Sequence, residues 1–167
     1  AHSEVVIDAT RSKYIDYDVY EIIQNFKSDA HHKHIKLILE NMRGYGTLPP
    51  VEYVRSQTYD SQQLLTPDKV LALLKEGNER FVYNLKSNRN LLEQVNDTRD
   101  GQFPIAIILS CMDSRTSVEL IFDLGLGDVF SARIAGNIIN DDILGSMEYA
   151  CKLAGSKLIV VLGHSHC

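Results

Sequence analysis

The chain has 167 residues, 44% of them apolar and 23% charged, which is enough to bury a core in one or two domains. Its net charge of -5 argues against nucleic acid as the main partner, because phosphate contact needs a basic patch. No apolar stretch reaches the ~20 residues of a membrane span and no basic, apolar leader opens the chain, so the sequence reads as soluble and cytoplasmic.

Val5, Val6 and Ile7 predict a short strand. Asp16 or Asp18 then caps a helix in which Val19, Ile22, Ile23 and Phe26 follow helical spacing. The histidines at 31, 32 and 34 mark its end, where cationic groups suit the helix dipole. A metal site there competes with a solvated helix end, and the solvated end is preferred because His31 and His32 are adjacent and diverge. Residues 35–39 predict a second strand, completing a parallel strand–helix–strand unit over 1–43. Two glycines and a proline pair within 43–50 break regular structure, and 44–64 reads as a linker. Thr66 and Pro67 start a helix whose stripe Val70, Leu73, Leu74, Gly77 and Phe81 faces a core. Residues 84–99 are polar and read as an arm or short helix anchored by Leu91 and Leu92.

From 105 the pattern alternates, and the expected domain runs 65–167. The apolar run 105–109 predicts a buried parallel strand, which ends in Ser110-Cys111-Met112-Asp113-Ser114-Arg115. A helix carries Val118, Leu120, Ile121 and Phe122, Gly127 and Asp128 turn the chain, and 129–134 predict a second strand. Asp141 or Asp142 caps a helix with Ile143, Leu144, Met147, Ala150, Cys151 and Leu153 inward, and Gly155 ends it. A third strand, 158–162, leads into Gly163-His164-Ser165-His166-Cys167. This order predicts an α/β fold with a parallel sheet and flanking helices.

Ligands collect at the carboxyl ends of such strands. Three cysteines and no secretory signal favour reduced thiols over disulfides. Two thiolates and an imidazole suit zinc, and Cys111, His164 and Cys167 supply them. Asp113 stands near enough to be a fourth ligand, and Arg115 can pair with it bidentately and keep it off the metal. Taken singly, Cys111 or Cys167 reads as a small core residue, and the conjunction with His164, Asp113 and Arg115 is what favours a metal. Cys151 reads as core, His166 as facing away, and Arg133 as a buried ion-pair partner.

Residues 66–167 resemble the β-class carbonic anhydrases. The resemblance rests on Cys111-Met112-Asp113-Ser114-Arg115, on Gly127-Asp128-Val129-Phe130 with Arg133-Ile134-Ala135-Gly136-Asn137, and on 163–167. It implies Zn2+ held by Cys111, His164 and Cys167, an Asp113–Arg115 dyad, and Gln102 as a hydrogen-bond donor to substrate. It also implies an apolar carbon dioxide pocket lined by Phe130, Ala135 and Tyr149, and a homodimer or higher even oligomer embraced by an arm helix over 66–84. Ile108 stands where the bicarbonate-regulated subgroup carries tryptophan, which argues against that allostery. In the family, glycines, helices and a further strand follow the last ligand, and here the chain ends at Cys167 without Met at its start, as a fragment would. Residues 1–43 resemble the second half of a STAS module, through Val5-Val6-Ile7-Asp8 and 14–18. Tyr17 stands where bacterial anti-sigma antagonists carry a phosphorylated serine. That resemblance implies a fusion to a SulP-type anion transporter on the cytosolic face of a membrane. The expected function is zinc-dependent hydration of carbon dioxide to bicarbonate, linked to bicarbonate or sulfate transport. The alternatives are a non-catalytic zinc-stabilised regulatory or dimerisation domain of such a transporter, and a redox thiol protein, which the lack of a Cys-x-x-Cys pair disfavours.

Overall fold

A computed structural model describes residues 3–12, 15, 17–42 and 54–167, with the side chains of Tyr17, His31 and His32 outside the description. The expected turn at 14–18, the histidine pair and the boundary at 43–50 therefore lie wholly or partly outside the described residues.

Strand β1 (Ser3–Asp8), helix α1 (Tyr17–His32) and strand β2 (Ile35–Glu40) form the expected parallel unit, with Ser3 in register with Ile35 and Asp8 with Glu40. Tyr20, Ile23 and Ala30 form the buried side of α1. At the carboxyl ends of the strands lies a groove of about 330 Å³, lined mainly by Ile7, Ala9, Ile15, Val19, Ile23 and Met42. Asp8 sits at its edge, its Oδ1 accepting from the Thr10 backbone N–H at 2.9 Å and from Asn41 Nδ2 at 3.3 Å.

The second unit follows helices α2 (Tyr59–Gln63), α3 (Pro67–Val82) and α4 (Leu91–Asp97). It comprises strand β3 (Ala106–Ser110), helix α5 (Val118–Ile121), strand β4 (Val129–Arg133), a 3-10 turn (Ala135–Asn137), helix α6 (Asp141–Lys152) and strand β5 (Leu158–Leu162). The sheet order is β4-β3-β5, all parallel, with Ala106 opposite both Val129 and Leu158. β3 is central and buried on both faces, as its unbroken apolar sequence requires. Ala106 and Ile108 point to one layer, where Val70 and Leu74 of α3 and Val118 of α5 close the core. Ile107 and Leu109 point to the other, against Met147 and Ala150 of α6. Each valine, leucine, isoleucine or methionine among them, taken out of water, contributes about 1.5–3 kcal/mol.

The expected Thr66 cap is present, its side chain accepting from Lys69 N. Glycine is required inside α3 because a Cβ at Gly77 would lie 1.9 Å from the Phe122 carbonyl oxygen. The helix meets α5 at that point, where Asn78 Nδ2 donates to Ile121 O at 3.0 Å.

Several expectations are corrected. The linker range contains α2, which is capped by Thr58 and buries Gln62, whose Nε2 donates to Pro104 O at 2.8 Å and to Ala154 O at 2.9 Å. Helix α3 docks on its own chain through Val70, Leu74 and Gly77, and Leu73 and Phe81 of the expected stripe are exposed because the contact is narrower than the apolar stripe. In α4, Leu91 and Leu92 are exposed, and the buried anchor is polar: Gln94 Oε1 accepts from Leu126 N at 3.1 Å. Asn140, not Asp141 or Asp142, caps α6 by accepting from Ile143 N at 2.9 Å. Leu144 of α6 and Leu153, just past its end, are exposed, because the face that meets β3 and β4 runs through Ile143, Met147 and Ala150. Gly155, at φ 78, follows the helix as expected. Among the described residues, no helix is long and apolar enough to cross a membrane.

Candidate metal centre

The carboxyl ends of β3 and β5, neighbours in the sheet, carry the two halves of the site. Cys111 follows the last residue of β3, and His164 and Cys167 lie in the segment after β5. Their ligand atoms all fall within 4.8 Å of one another. The two sulfurs are 3.7 Å apart. Two thiolates ~2.3 Å from one tetrahedral centre would stand roughly 3.8 Å apart, so the spacing suits zinc. His164 Nε2 is buried without a hydrogen-bond partner, while Nδ1 lies 3.0 Å from the Ser165 carbonyl oxygen. A ring held at one nitrogen and free at the other is the state of a metal-ligating histidine. Borderline nitrogen and soft sulfur also suit zinc chemically.

The electrostatics prepare one thiolate. The Gly136 backbone N–H aimed at the Cys111 sulfur, then the His164 imidazole and the Asp113 N–H, pull the Cys111 pKa down to about 6. The Cys111 sulfur in turn pushes His164 upward and raises Cys167. Gly136 makes that approach at φ 64, in the 3-10 turn after β4.

Asp113 and Arg115 pair bidentately, with Nε to Oδ1 at 2.9 Å and Nη2 to Oδ2 at 2.7 Å. The Arg115 backbone N–H donates to the same Oδ1 at 2.9 Å. This pairing holds the Asp113 carboxyl well below the usual carboxylate range. Arg115 Nη2 also donates to the His166 carbonyl at 3.1 Å, tying the segment after β3 to the segment after β5. His166 itself is exposed, in the left-handed region at φ 54, and is not a member of the ligand cluster.

The remaining expected residues are not gathered as tightly. Gln102 is exposed in the segment before β3, and among the described residues no hydrogen bond joins it to the cluster. Phe130 and Tyr149 meet edge to face with centroids 6.2 Å apart, Tyr149 half-exposed, and Ala135 is exposed at the start of the 3-10 turn. Cys151 packs at the edge of the α6 core as expected.

Two residues acquire a place that the sequence did not reveal. Arg133 is exposed and is not the expected buried ion-pair partner: Nε donates to Cys111 O at 3.2 Å and Nη2 to Asp113 O at 2.6 Å. Buried Thr116 donates its hydroxyl toward the same two carbonyls, at 3.0 and 2.9 Å. A threonine five residues past the cysteine could have been noticed as a local side-chain-to-backbone candidate. The arginine, 22 residues away, carried no local signal. A third residue, Asn137, donates from Nδ2 to Leu162 O at 2.9 Å and fastens the Gly136 turn to the end of β5.

Comparison with known proteins finds likenesses to carbonic anhydrases. Residues 106–167 match the family model described as carbonic anhydrase. Carbonic anhydrase 2 of Mycobacterium tuberculosis is 47% identical over 95 residues, covering 56% of this chain and 46% of that protein. Beta carbonic anhydrase 1 of Caenorhabditis elegans is 32% identical over 92 residues, covering 47% of this chain and 34% of that protein. The solved structure of the β-carbonic anhydrase CcaA shares 30% identity with a TM-score of 0.44, covering 60% of this chain and 45% of that one. The chain thus spans about half the length of the curated relatives it matches, 46% for the mycobacterial protein. The family match lies in the C-terminal part of the chain, over the residues that carry the Cys111–His164–Cys167 cluster.

Proposed function

We propose that this chain takes part in the zinc-dependent interconversion of carbon dioxide with bicarbonate and a proton. The observation that carries the reading is the Cys111–His164–Cys167 cluster standing beside the bidentate Asp113–Arg115 pair. Zinc, when bound, supplies the Lewis acidity that brings water deprotonation near neutral pH. The thiolates of Cys111 and Cys167 and the neutral ring of His164 would hold it, leaving one position open. Asp113, locked in its charged form by Arg115, accepts a hydrogen bond from the attacking water and orients it toward the substrate carbon. Oδ2 takes a single bond from Arg115, at 2.7 Å, and keeps acceptor capacity beyond it, whereas Oδ1 takes two. The edge-to-face Phe130–Tyr149 pair would offer apolar surface to an uncharged substrate. Gln102 would donate to the developing oxyanion once brought to the site.

The exposed position of Gln102 favours a second reading, in which the metal stabilises a non-catalytic regulatory or dimerisation domain. The coupling to anion transport rests on the likeness of β1–α1–β2 to part of a STAS module, and it would place the chain at the cytosolic face of a membrane, as a dimer or higher even oligomer. Stopped-flow carbon dioxide hydration at pH 8.5, with zinc content measured on the same sample, separates the two readings. A metal-dependent rate well above buffer supports the enzyme. Full zinc occupancy with no such rate supports the non-catalytic domain.

A further inference from the structure

Just past β3, the backbone carbonyls of Cys111 and Asp113 are met by side chains, those of Thr116 and Arg133. Cys111 and Asp113 are the residues whose side chains the proposed chemistry needs, one as a ligand and the other as the orienting acceptor. The Cys111 carbonyl accepts from Arg133 Nε at 3.2 Å and faces the Thr116 hydroxyl at 3.0 Å. The Asp113 carbonyl accepts from Arg133 Nη2 at 2.6 Å, faces the same hydroxyl at 2.9 Å, and accepts from Thr116 N at 3.0 Å. A planar guanidinium has its donors in a rigid fork, so one side chain fixes the spacing and tilt of two peptide planes at once.

The anchor of that fork is itself fixed. Arg133 is the last residue of β4, in register with Ser110, and the Ile134 backbone N–H donates to Ser110 O at 3.1 Å. The guanidinium therefore reaches from a strand that is hydrogen-bonded to the very strand the turn leaves. A rotation of the 111–113 peptides would need both bonds to break together. What such a rotation would change is where the Asp113 carboxylate stands, on Arg115 or toward the cluster.

We propose that Arg133 is a positioning residue, which, by bridging the Cys111 and Asp113 carbonyls, keeps the Asp113 side chain on Arg115 and out of the metal's open position. This inference rests on the metal reading proposed above. Thr116 shares the two carbonyls but is tethered to the same turn, so it tightens the turn without referring it to the sheet. Arg133 supplies that reference from the end of β4, the strand paired with β3.

The test uses the full chain loaded with cobalt(II), whose visible absorption reports the ligands around the ion independently of turnover. Arg133→Gln should change the band shape in the native background, and should change it little in an Asp113→Asn background, where no carboxylate is available to move onto the metal. Arg133→Lys, a charged donor without the rigid planar fork, should give an intermediate spectrum, and it serves as the test variant if Arg133→Gln fails to fold. Any measured hydration activity should fall about 10–100-fold in Arg133→Gln, as for loss of an outer-shell partner, chiefly in kcat. A spectrum unchanged by both Arg133 variants, or changed equally with and without Asp113, overturns the proposal while leaving the metal reading intact. Failure of the unsubstituted chain to take up cobalt or zinc overturns the metal reading and this inference together.

Discussion

The molecule contains two parallel strand–helix–strand arrangements that differ in what stands over their strands. In β1–α1–β2 the sheet has two strands, and β1 alternates exposed and half-buried residues, with Val6 at 49% exposure. In the second sheet a central strand is sealed on both faces, from Ala106 to Ser110. Both present polar residues at their carboxyl ends. In the first, the Asp8 carboxylate closes a local turn through Thr10 and Asn41, below an apolar groove. In the second, two strand ends side by side bring together groups 53 and 56 residues apart, His164 and Cys167 against Cys111. A buried central strand holds both neighbours in register, and that converts two remote segments into one site of ångström definition.

The sharpest separation of the two units is by pH. Metal binding to the second should weaken by about tenfold per pH unit for every proton that must be displaced. Cys167, with its pKa raised, must always lose a proton below that range, giving a slope of about one near pH 8. Acidification then protonates His164, whose pKa is raised above 6.5, and finally Cys111 below about 6, so the slope should steepen toward about three by pH 5. Asp8, whose pKa is lowered, stays charged across that interval, so the carboxylate at the strand ends of the first unit should contribute no matching transition. A slope already near two at pH 8, measured by competition with a chromophoric chelator, would mean that Cys111 is protonated there along with Cys167, and would remove the depressed Cys111 thiol from the account.

Next in size is removal of a ligand. Cys111→Ala should weaken zinc by more than the ~100-fold typical of losing an outer-shell partner. Asp8→Ala, at the equivalent place in the first unit, should leave zinc affinity unchanged. The cores should differ as well. Ile108→Ala, at a fully buried position, should cost about 2–5 kcal/mol in urea unfolding. Val6→Ala, half-exposed on β1, should cost under ~1 kcal/mol, because little of its area is removed from water. Gly77→Ala comes next, at about 1–3 kcal/mol, because the added methyl meets the Phe122 backbone rather than a movable side chain. The smallest effect belongs to the exposed cross-strand pair Lys36–Glu4, 2.8 Å apart, where Lys36→Ala should change stability by less than ~1 kcal/mol and more weakly still in high salt.

What the sequence disclosed follows the same divide between local and remote. Strands β3 and β5 were legible because a five-residue apolar run bounded by polar turns has few other readings. Cys111, Asp113, Arg115, His164 and Cys167 were legible because each pair of neighbours lies within one turn, and the chemistry of the set is specific. Helix faces were read less well. Leu73, Phe81, Leu91, Leu92, Leu144 and Leu153 are apolar yet exposed, since periodicity marks a stripe and not the width of the partner that covers it. Buried glutamines were invisible for the opposite reason. Gln62 and Gln94 look like surface residues, and only the distant backbone groups they satisfy make their burial tolerable. Arg133 belongs with them: its partners are backbone carbonyls, which have no letter in a sequence.

Gln62 also bears on where this chain can be cut. Composition alone would start the second unit near residue 65, just after α2. The amide of Gln62 joins the entry to β3, at Pro104, with the exit from α6, at Ala154. A fragment begun at 65 would lose the Gln62 bonds to both carbonyls, leaving Pro104 O to Ser156 Oγ at 3.0 Å. The short helix in the apparent linker is thus the hem of the second unit, and any dissection of the molecule should leave it attached.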